Sequence, residues 1–169
     1  MDKVNTSRVN YSEDGNIKTT YYESGRIKTR SYYKDGKIHK EDGPAFIFFY
    51  ENGTIAEEQY FLNGARHRED GPAIIWYYED RSIKTVEYYL NSKRCKLDGP
   101  AYISYYRAGN MSYEAYYEHG QLHCIDKPAR IWYNKNGTKE MEEYYIDGKY
   151  YKDVFKWMIE VGGFEERMI

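Results

Sequence analysis

Short segments with small, aliphatic and aromatic residues at every second position recur along this chain of 169 residues. In one of them, Ala73, Ile75 and Tyr77 are each separated by a single residue of another kind. The same positions return as Ala45-Ile47-Phe49, Ala101-Ile103-Tyr105 and Ala129-Ile131-Tyr133, with a weaker first copy, Ile17-Thr19-Tyr21. A period of two is typical of one buried face of a β-strand. The pattern therefore predicts a strand at each of these five places.

An Asp-Gly-Pro-Ala motif precedes these strands and sets a repeat of 28 residues. It begins at Asp42, Asp70 and Asp98, has Lys127 in place of its glycine at 126–129, and is weakest at 14–17. We predict one domain over 1–169, with a lead-in 1–13, repeats 14–41, 42–69, 70–97, 98–125 and 126–153, and a tail 154–169. Because proline has no N–H, the motif proline should open a strand rather than lie inside one. We assign a structural role to the motif residues Gly43, Pro44, His67, Asp70, Gly71, Pro72, Gly99, Pro100 and Pro128.

Turn signals divide each repeat into a hairpin and a link. The first strand is followed by a turn such as Glu51-Asn52-Gly53, and Asn-Gly between two apolar runs is a strong hairpin signal. The second strand ends in an aromatic pair such as Tyr60-Phe61, and a second turn follows at Gly64. Repeat 70–97 has Arg81 and Ser92 at the two glycine positions, so we expect its turns to be looser or of another type.

These elements predict a mainly β protein, an elongated and solenoid-like antiparallel sheet of about five hairpin repeats with roughly ten strands. A single hairpin cannot bury its apolar face alone, so the ends of the stack need covers. Asp153 can cap a helix that starts at Val154, and Gly162-Gly163 can end it. The tail 154–169 is predicted to be a short C-terminal capping helix. Its candidate cap residues, or alternatively its dimer contacts, are Phe155, Trp157, Met158 and Ile159.

The positions between the regular strand residues differ from one repeat to the next, and we name the sheet face that carries them the variable face. Such positions can form a binding surface. The alternative is that they are ordinary half-exposed sheet residues. The candidate protein-contact residues on the variable face are Phe46, Phe48, Ile74, Trp76, Tyr102 and Trp132.

The formal net charge of -2 disfavours a general nucleic-acid binder, which needs a basic excess. The first repeat is basic, and a candidate patch for an anionic membrane or nucleic acid consists of Lys18, Arg26, Lys28 and Arg30; the alternative is a solvated strand face. No apolar run reaches membrane-spanning length, and the first residues do not resemble a signal peptide. With only Cys95 and Cys124, a reducing, cytoplasmic setting is expected.

A column of linker residues is the first candidate for metal or catalytic chemistry, and it contains His39, His67, Cys95 and His123. Two strands separate neighbours in this column, about 9–10 Å, so they cannot share one zinc ion. Because the position recurs with the repeat, a structural role is favoured: the histidine bonds backbone or the aspartate three residues on. No nucleotide-binding or hydrolase motif is present, so we expect neither an enzyme nor a cofactor.

The segment Asn63–Ala73, with Tyr-Phe before it and Ile-Trp-Tyr-Tyr after it, resembles the MORN-type repeat, and more closely the MORN-like variants with an HRxDGPA link. Such variants are abundant in giant viruses of amoebae, and related ones occur in bacterial antitoxin-like proteins. The resemblance covers about 14–153. It departs from the usual repeat of about 23 residues in its longer period, at 14–17, and at Lys127.

The resemblance implies an elongated antiparallel sheet with a scaffolding, protein-binding or membrane-proximal role and frequent self-association. We therefore expect a non-catalytic scaffold that binds a protein partner and forms a homo-oligomer, a dimer in the simplest case. The alternatives are an adaptor for an anionic membrane or nucleic-acid surface and an antitoxin-like protein that neutralises a toxin. The expected location is the cytoplasm, or the host cytoplasm or virion if the chain is viral.

Overall fold

The computed structural model describes residues 8–161, nearly all of them in strands and turns. In chain order the elements are β1 (Val9–Tyr11), β2 (Ile17–Tyr21), β3 (Ile27–Lys34), β4 (Lys37–Ile38), β5 (Phe46–Phe49), β6 (Ile55–Gln59), β7 (Phe61–Leu62), β8 (Ala65–Arg66), β9 (Ile74–Tyr77), β10 (Ile83–Glu87), β11 (Tyr89–Leu90), β12 (Lys93–Arg94), β13 (Tyr102–Tyr105), β14 (Met111–Ala115), β15 (Tyr117–Glu118), β16 (Gln121–Leu122), β17 (Arg130–Tyr133), β18 (Lys139–Ile146), β19 (Lys149–Tyr151) and α1 (Val154–Glu160).

One antiparallel sheet runs the length of this region. Its strands follow in the order β1-β2-β3-β5-β6-β9-β10-β13-β14-β17-β18-β19, and β4 attaches to β3. The pairing within the hairpins repeats every 28 residues: Phe46 pairs with Gln59, and Ile74 pairs with Glu87 in the next repeat. The predicted mainly β, solenoid-like sheet of hairpin repeats is confirmed.

Each repeat contains a second, shorter hairpin that the sequence analysis treated only as a link. The main strand breaks at Tyr60, whose N–H donates to Ala73 O of the next repeat at 2.8 Å. Strands β7 and β8 then pair across a turn at Asn63 and Gly64, which have φ of +50° and +87°. The short hairpins stack on one another, since Ser92 N–H donates to Arg66 O at 2.8 Å and Gly148 N–H to Leu122 O at 2.9 Å.

The lead-in supplies the first strand of the sheet. Strand β1 pairs with β2 through Tyr11 and Lys18, just as β3 pairs with β5 through Ser31 and Phe46. The residues before the first motif therefore act as the second strand of a shortened repeat. The first seven residues of the predicted lead-in lie outside the described residues.

The repeat motif places alanine where there is room for nothing larger. Four alanines, one in each of the last four repeats, are fully buried: Ala45, Ala73, Ala101 and Ala129. The motif prolines lie two residues before their strands, as predicted. Gly43 and Gly99 need glycine's conformational freedom, with φ of +125° and +129°.

In the first four repeats a cation covers the aromatic ring at the end of the main strand, and this contact explains the departure at Lys127. Lys40, Arg68 and Lys96 lie over Tyr32, Tyr60 and Tyr88 at 4.0 to 4.1 Å from the ring centroids. In the next repeat Cys124 occupies the cation's position, and the Lys127 ammonium lies over Tyr116 at 4.8 Å instead. The ring keeps its cation although the motif has lost its glycine.

Tyrosine hydroxyls tie neighbouring repeats together. Tyr50 donates to Tyr77 O at 2.7 Å, and Tyr106 donates to Tyr133 O at 2.7 Å, each across 27 residues. Tyr22 and Tyr78 make the equivalent bonds to Phe49 O and Tyr105 O. This part of the high tyrosine content is therefore structural, since each hydroxyl satisfies a carbonyl in the following repeat.

The turns of repeat 70–97 keep the geometry of the others, so the prediction of looser or different turns is wrong. Arg81 N–H donates to Tyr78 O at 2.9 Å, which matches the bond from Gly53 to Tyr50 O. Arg81 and Ser92 adopt φ of +71° and +63°, the conformation that glycine adopts elsewhere. Backbone hydrogen bonds and sheet pairing impose the turn on side chains that disfavour it.

Replacing Arg81 with glycine should therefore stabilise the protein. Relief of the left-handed strain is worth about 1–2 kcal/mol, offset in part by the greater entropy of the unfolded chain. Urea unfolding followed by circular dichroism measures the difference. Ser24→Gly is the matched control, because Ser24 lies in an equivalent turn without a positive φ, and it should not stabilise. A less stable Arg81→Gly protein would contradict the strain assignment.

Candidate protein-contact face

The variable face presents its side chains in rows that cross the strands. Phe48 pairs with Glu57, and Glu57 pairs with Trp76, so these three side chains are direct neighbours. Further along the same row Thr85 pairs with Ser104, and Tyr113 pairs with Trp132. The structure therefore brings Phe48, Trp76 and Trp132 into one row of a single face.

Exposure separates the six predicted contact residues. Trp76 is 36% exposed, while Phe46, Phe48, Tyr102 and Trp132 are half-buried. Ile74 is only 6% exposed, so it contributes to packing and offers little surface to a partner. The Trp132 ring packs on Tyr113 with centroids 4.9 Å apart, which makes Trp76 the more independent ring.

Charged residues occupy the spaces between these rings, and the sequence analysis did not select them. Glu87 forms an ion pair with Arg94, whose guanidinium also lies over Tyr89, Tyr102 and Tyr117 at 4.9 to 5.3 Å. In the last repeat Arg130 pairs with Glu143 at 3.3 Å. The cross-strand register places these charged residues next to the rings. It can be determined only once the pairing of the strands is known.

Glu57 differs from these carboxylates because its bonding partner is neutral. Gln59 Nε2 donates to Glu57 Oε1 at 2.5 Å, and Glu57 is 6% exposed. Burial raises the pKa of Glu57, while the Gln59 hydrogen bond and the charge of Arg66 act in the opposite direction. The result is an acid held among aromatic rings in an environment that disfavours its ionised form.

The opposite face of the sheet uses its carboxylates for packing. Tyr77 donates to Glu58 Oε2 at 2.8 Å, and Tyr133 donates to Glu114 Oε1 at 2.6 Å. Burial, together with these bonds, raises the pKa of both tyrosines. Glu57 and Glu58 do lie on opposite faces, as the alternation of side chains predicts.

The linker histidines cap the turn of the following repeat. His39 Nδ1 accepts from Asn63 N–H at 3.0 Å, and His123 Nδ1 accepts from Asp147 N–H at 3.2 Å. The predicted backbone bond is present, and Asp70, three residues after His67, pairs with Arg68 at 2.8 Å. His67 meets Asn91 in the same way, so the recurring role is structural.

The four residues of the predicted basic patch are not gathered on one face. Lys18 pairs with Ser31 on the variable face, whereas Arg30 pairs with Ile47 and points to the opposite face. Arg26 donates to Glu51 O at 2.7 Å, and Lys28 lies over the Tyr22 ring at 5.6 Å. Lys18 lies over the Tyr11 ring at 6.0 Å, so three of these four cations are engaged with neighbouring groups of the chain.

The C-terminal helix covers the last repeat through one residue. Trp157 is 1% exposed, packs on Tyr144 with centroids 4.7 Å apart, and donates from Nε1 to Cys124 O at 3.3 Å. Asp153 caps the helix by accepting from Phe155 N–H, as predicted. Met158 is half-buried, and Phe155 and Ile159 are 59% and 65% exposed. The helix ends at Glu160, and the predicted stop at Gly162-Gly163 lies outside the described residues.

A second exposed apolar site lies between the linkers of repeats 70–97 and 98–125. Leu97 is 98% exposed and Ile125 is 55% exposed, at positions where the first two repeats have Glu41 and Glu69. Together with Tyr116 they border an open cavity of about 660 Å³. Cys95 and Cys124 also line it as free thiols. Burial, with the hydrogen bond to Asp126, raises the pKa of Cys124 to about 11, so this thiol is not activated.

Comparison with known proteins identifies no relative. No family model, no curated protein and no solved structure matches this chain. The likeness to MORN-type repeats therefore stays a prediction from the motif residues. Within residues 8–161 no group of three or more His, Cys, Asp or Glu side chains is arranged to hold a metal ion. In the same region no helix combines the length and apolar character that crossing a bilayer requires.

Proposed function

We propose that this chain is a non-catalytic repeat scaffold that binds a protein partner through the variable face. The observation that carries the proposal is the exposure of Trp76 in a row that also contains Phe48 and Trp132. Tryptophan and tyrosine are enriched where interfaces have their largest binding energies. The rings stand at positions that the repeat itself does not prescribe, which is where a binding surface can differ without disturbing the stack.

Charge supports a protein partner over a nucleic acid. The ring row of the central repeats contains Glu57 and lies beside Glu87, so a phosphate backbone would meet buried carboxylates there. Stacking of nucleic-acid bases on aromatic rings needs an accompanying cationic groove. Two of the cations on this face, Arg94 and Arg130, are already paired with carboxylates.

Placing a photo-crosslinking residue, p-benzoylphenylalanine, at position 76 should capture the partner in lysate of the natural cell. The same residue at Ile83, which is 45% exposed and pairs with Tyr77 on the opposite face, is the matched control and should not capture that protein. Unlabelled wild-type protein should compete for the adduct, and Trp76→Ala should compete about tenfold less well. Because Trp76 is partly exposed, its replacement should cost only about 1 kcal/mol of folding stability. Equal adducts at both positions would contradict the assignment of the face.

Self-association is a second proposal, and the apolar site at Leu97 favours it. An aliphatic side chain that is 98% exposed beside an open cavity supplies both a projection and a recess on one surface, which a two-fold interface requires. Crosslinker at position 97 should therefore yield adducts of the bait with itself. Light scattering should show a dimer that Leu97→Glu converts to monomer. A monomer in the unmodified protein would end this second proposal and leave the first intact.

A further inference from the structure

Glu57 is a buried carboxylate on the variable face, and no cation of residues 8–161 contacts it directly. Glu87 has Arg94, and Glu143 has Arg130, but no ion pair among residues 8–161 includes Glu57. Its Oε1 accepts from the neutral Gln59 amide. Its second oxygen accepts no hydrogen bond from this part of the chain.

A shift of the acid along its strand explains the missing partner. Arg66 occupies the same position in its repeat as Arg94 does in the next one. Arg94 forms an ion pair with Glu87, whereas Arg66 Nε donates at 3.3 Å to Oε1 of Gln59, which stands at the position equivalent to Glu87. In repeat 42–69 the carboxylate lies two residues earlier on β6, on the same face but past the residue that Arg66 bonds. The acid is thus displaced from its pairing position toward the row of rings.

The repeat does not require an acid at this place. In the other repeats the position equivalent to Glu57 is occupied by threonine, tyrosine or methionine: Thr29, Thr85, Tyr113 and Met141. Burying a carboxylate without a cation lowers stability, and burial accordingly raises the pKa of Glu57. A group that costs stability and serves no repeated contact is typical of a binding site.

Two rings flank the acid across the strands. Glu57 pairs with Phe48 on β5 and with Trp76 on β9, so the Cβ atoms of each pair are about 4.5–5.5 Å apart. A cation placed over the partly exposed Trp76 ring would lie close to the second oxygen of Glu57, which accepts no hydrogen bond from residues 8–161. Ring face and carboxylate attract the same ligand, and the half-buried setting strengthens both attractions.

We propose that Glu57, Phe48 and Trp76 form a site for a cationic side chain, lysine or arginine, of the protein that binds the variable face. This inference rests on the proposed function and specifies the chemistry of its partner. The partner's ammonium or guanidinium supplies the charge that Arg94 supplies to Glu87 one repeat later. The aliphatic part of the same side chain packs between the two rings.

Short peptides test the site without knowledge of the partner. The full-length protein, labelled with ¹⁵N, is titrated with acetyl-Gly-Lys-Gly-amide, its arginine analogue and its uncharged norleucine analogue. The signal is the Trp76 indole N–H, assigned by its loss in Trp76→Phe. Both cationic peptides should move it in a saturable way, at least about tenfold more strongly than norleucine does. Equal effects of lysine and norleucine peptides would overturn the proposal.

Neutralising the acid should abolish the effect without unfolding the protein. Glu57→Gln should weaken the lysine peptide about tenfold and be at least as stable as wild type, because it removes a buried charge. Glu140→Gln makes the same charge change at an exposed site on β18 and should leave binding unchanged. Undiminished binding by Glu57→Gln would overturn the proposal.

The same variant separates this inference from the proposed function. If Glu57→Gln still crosslinks the partner at position 76 with full yield, the variable face is an interface but the cation site is wrong. If the cationic peptides bind through Glu57 and position 76 captures no protein, the cation site stands and the proposed function fails.

Discussion

Replacing Trp157 with alanine should cost about 3–5 kcal/mol of the free energy of unfolding, the usual range for a buried tryptophan. The ring is 1% exposed, and its contacts reach both Tyr144 and the Cys124 carbonyl of the preceding linker. In a stack where each repeat contacts only its neighbours, loss of an end cover opens the last repeat first. Hydrogen exchange should therefore rise in β18 and β19 before it rises in β9 and β10.

Two variants on the same helix act as controls for the cap. Phe155→Ala removes a side chain that is 59% exposed and should change stability by less than about 1 kcal/mol. Trp157→Phe keeps a ring against Tyr144 but loses the N–H bond to Cys124 O, so it should fall between the two. If Trp157→Ala and Phe155→Ala destabilise equally, the helix does not act as a cap through Trp157.

The structural positions that recur in each repeat could be predicted from the sequence, because residues that perform the same structural role appear at a constant spacing. The alanine and proline positions, the strands and the Asp153 cap follow from a constant period and from local rules. The short hairpin was missed because its two-residue strands are too brief to show alternation. The turn at Arg81 was misjudged because long-range pairing overrides a single residue's preference.

The candidate site was only partly readable, for a different reason. The non-repeated positions indicated the face and selected Trp76, but they also selected the buried Ile74. The acid between the rings comes from another strand, so its place follows from the register of Phe48, Glu57 and Trp76. The sequence alone shows a glutamate that differs from its counterparts, and only the pairing of strands shows what surrounds it.

Candidate binding residues in this molecule are the ones that differ from their counterparts in the other repeats and whose lost contact no other residue replaces. Lys127 departs from the motif, but its ammonium restores the contact with Tyr116 that Cys124 no longer makes. Arg81 departs and retains its turn at a cost in strain. Glu57 departs and gains no ion pair in the described part of the chain, and Leu97 departs and remains 98% exposed. These two departures carry the binding proposals.

Replacing Arg94 with methionine should destabilise the protein by about 3 kcal/mol at neutral pH, because it leaves Glu87 as an unpaired charge that is 9% exposed. Glu87 would keep only the Tyr89 hydroxyl, which donates to it at 3.0 Å. Urea unfolding of both proteins at neutral pH measures the difference.

The repeat supplies a matched control for this charge. Arg66 stands at the equivalent position but bonds the neutral Gln59, so Arg66→Met should cost less than about 1 kcal/mol. The double variant Glu87→Gln/Arg94→Met should recover most of the stability, because it removes the buried charge together with its partner. If the double variant is as unstable as Arg94→Met, the arginine acts chiefly through its packing on Tyr89, Tyr102 and Tyr117 rather than through Glu87.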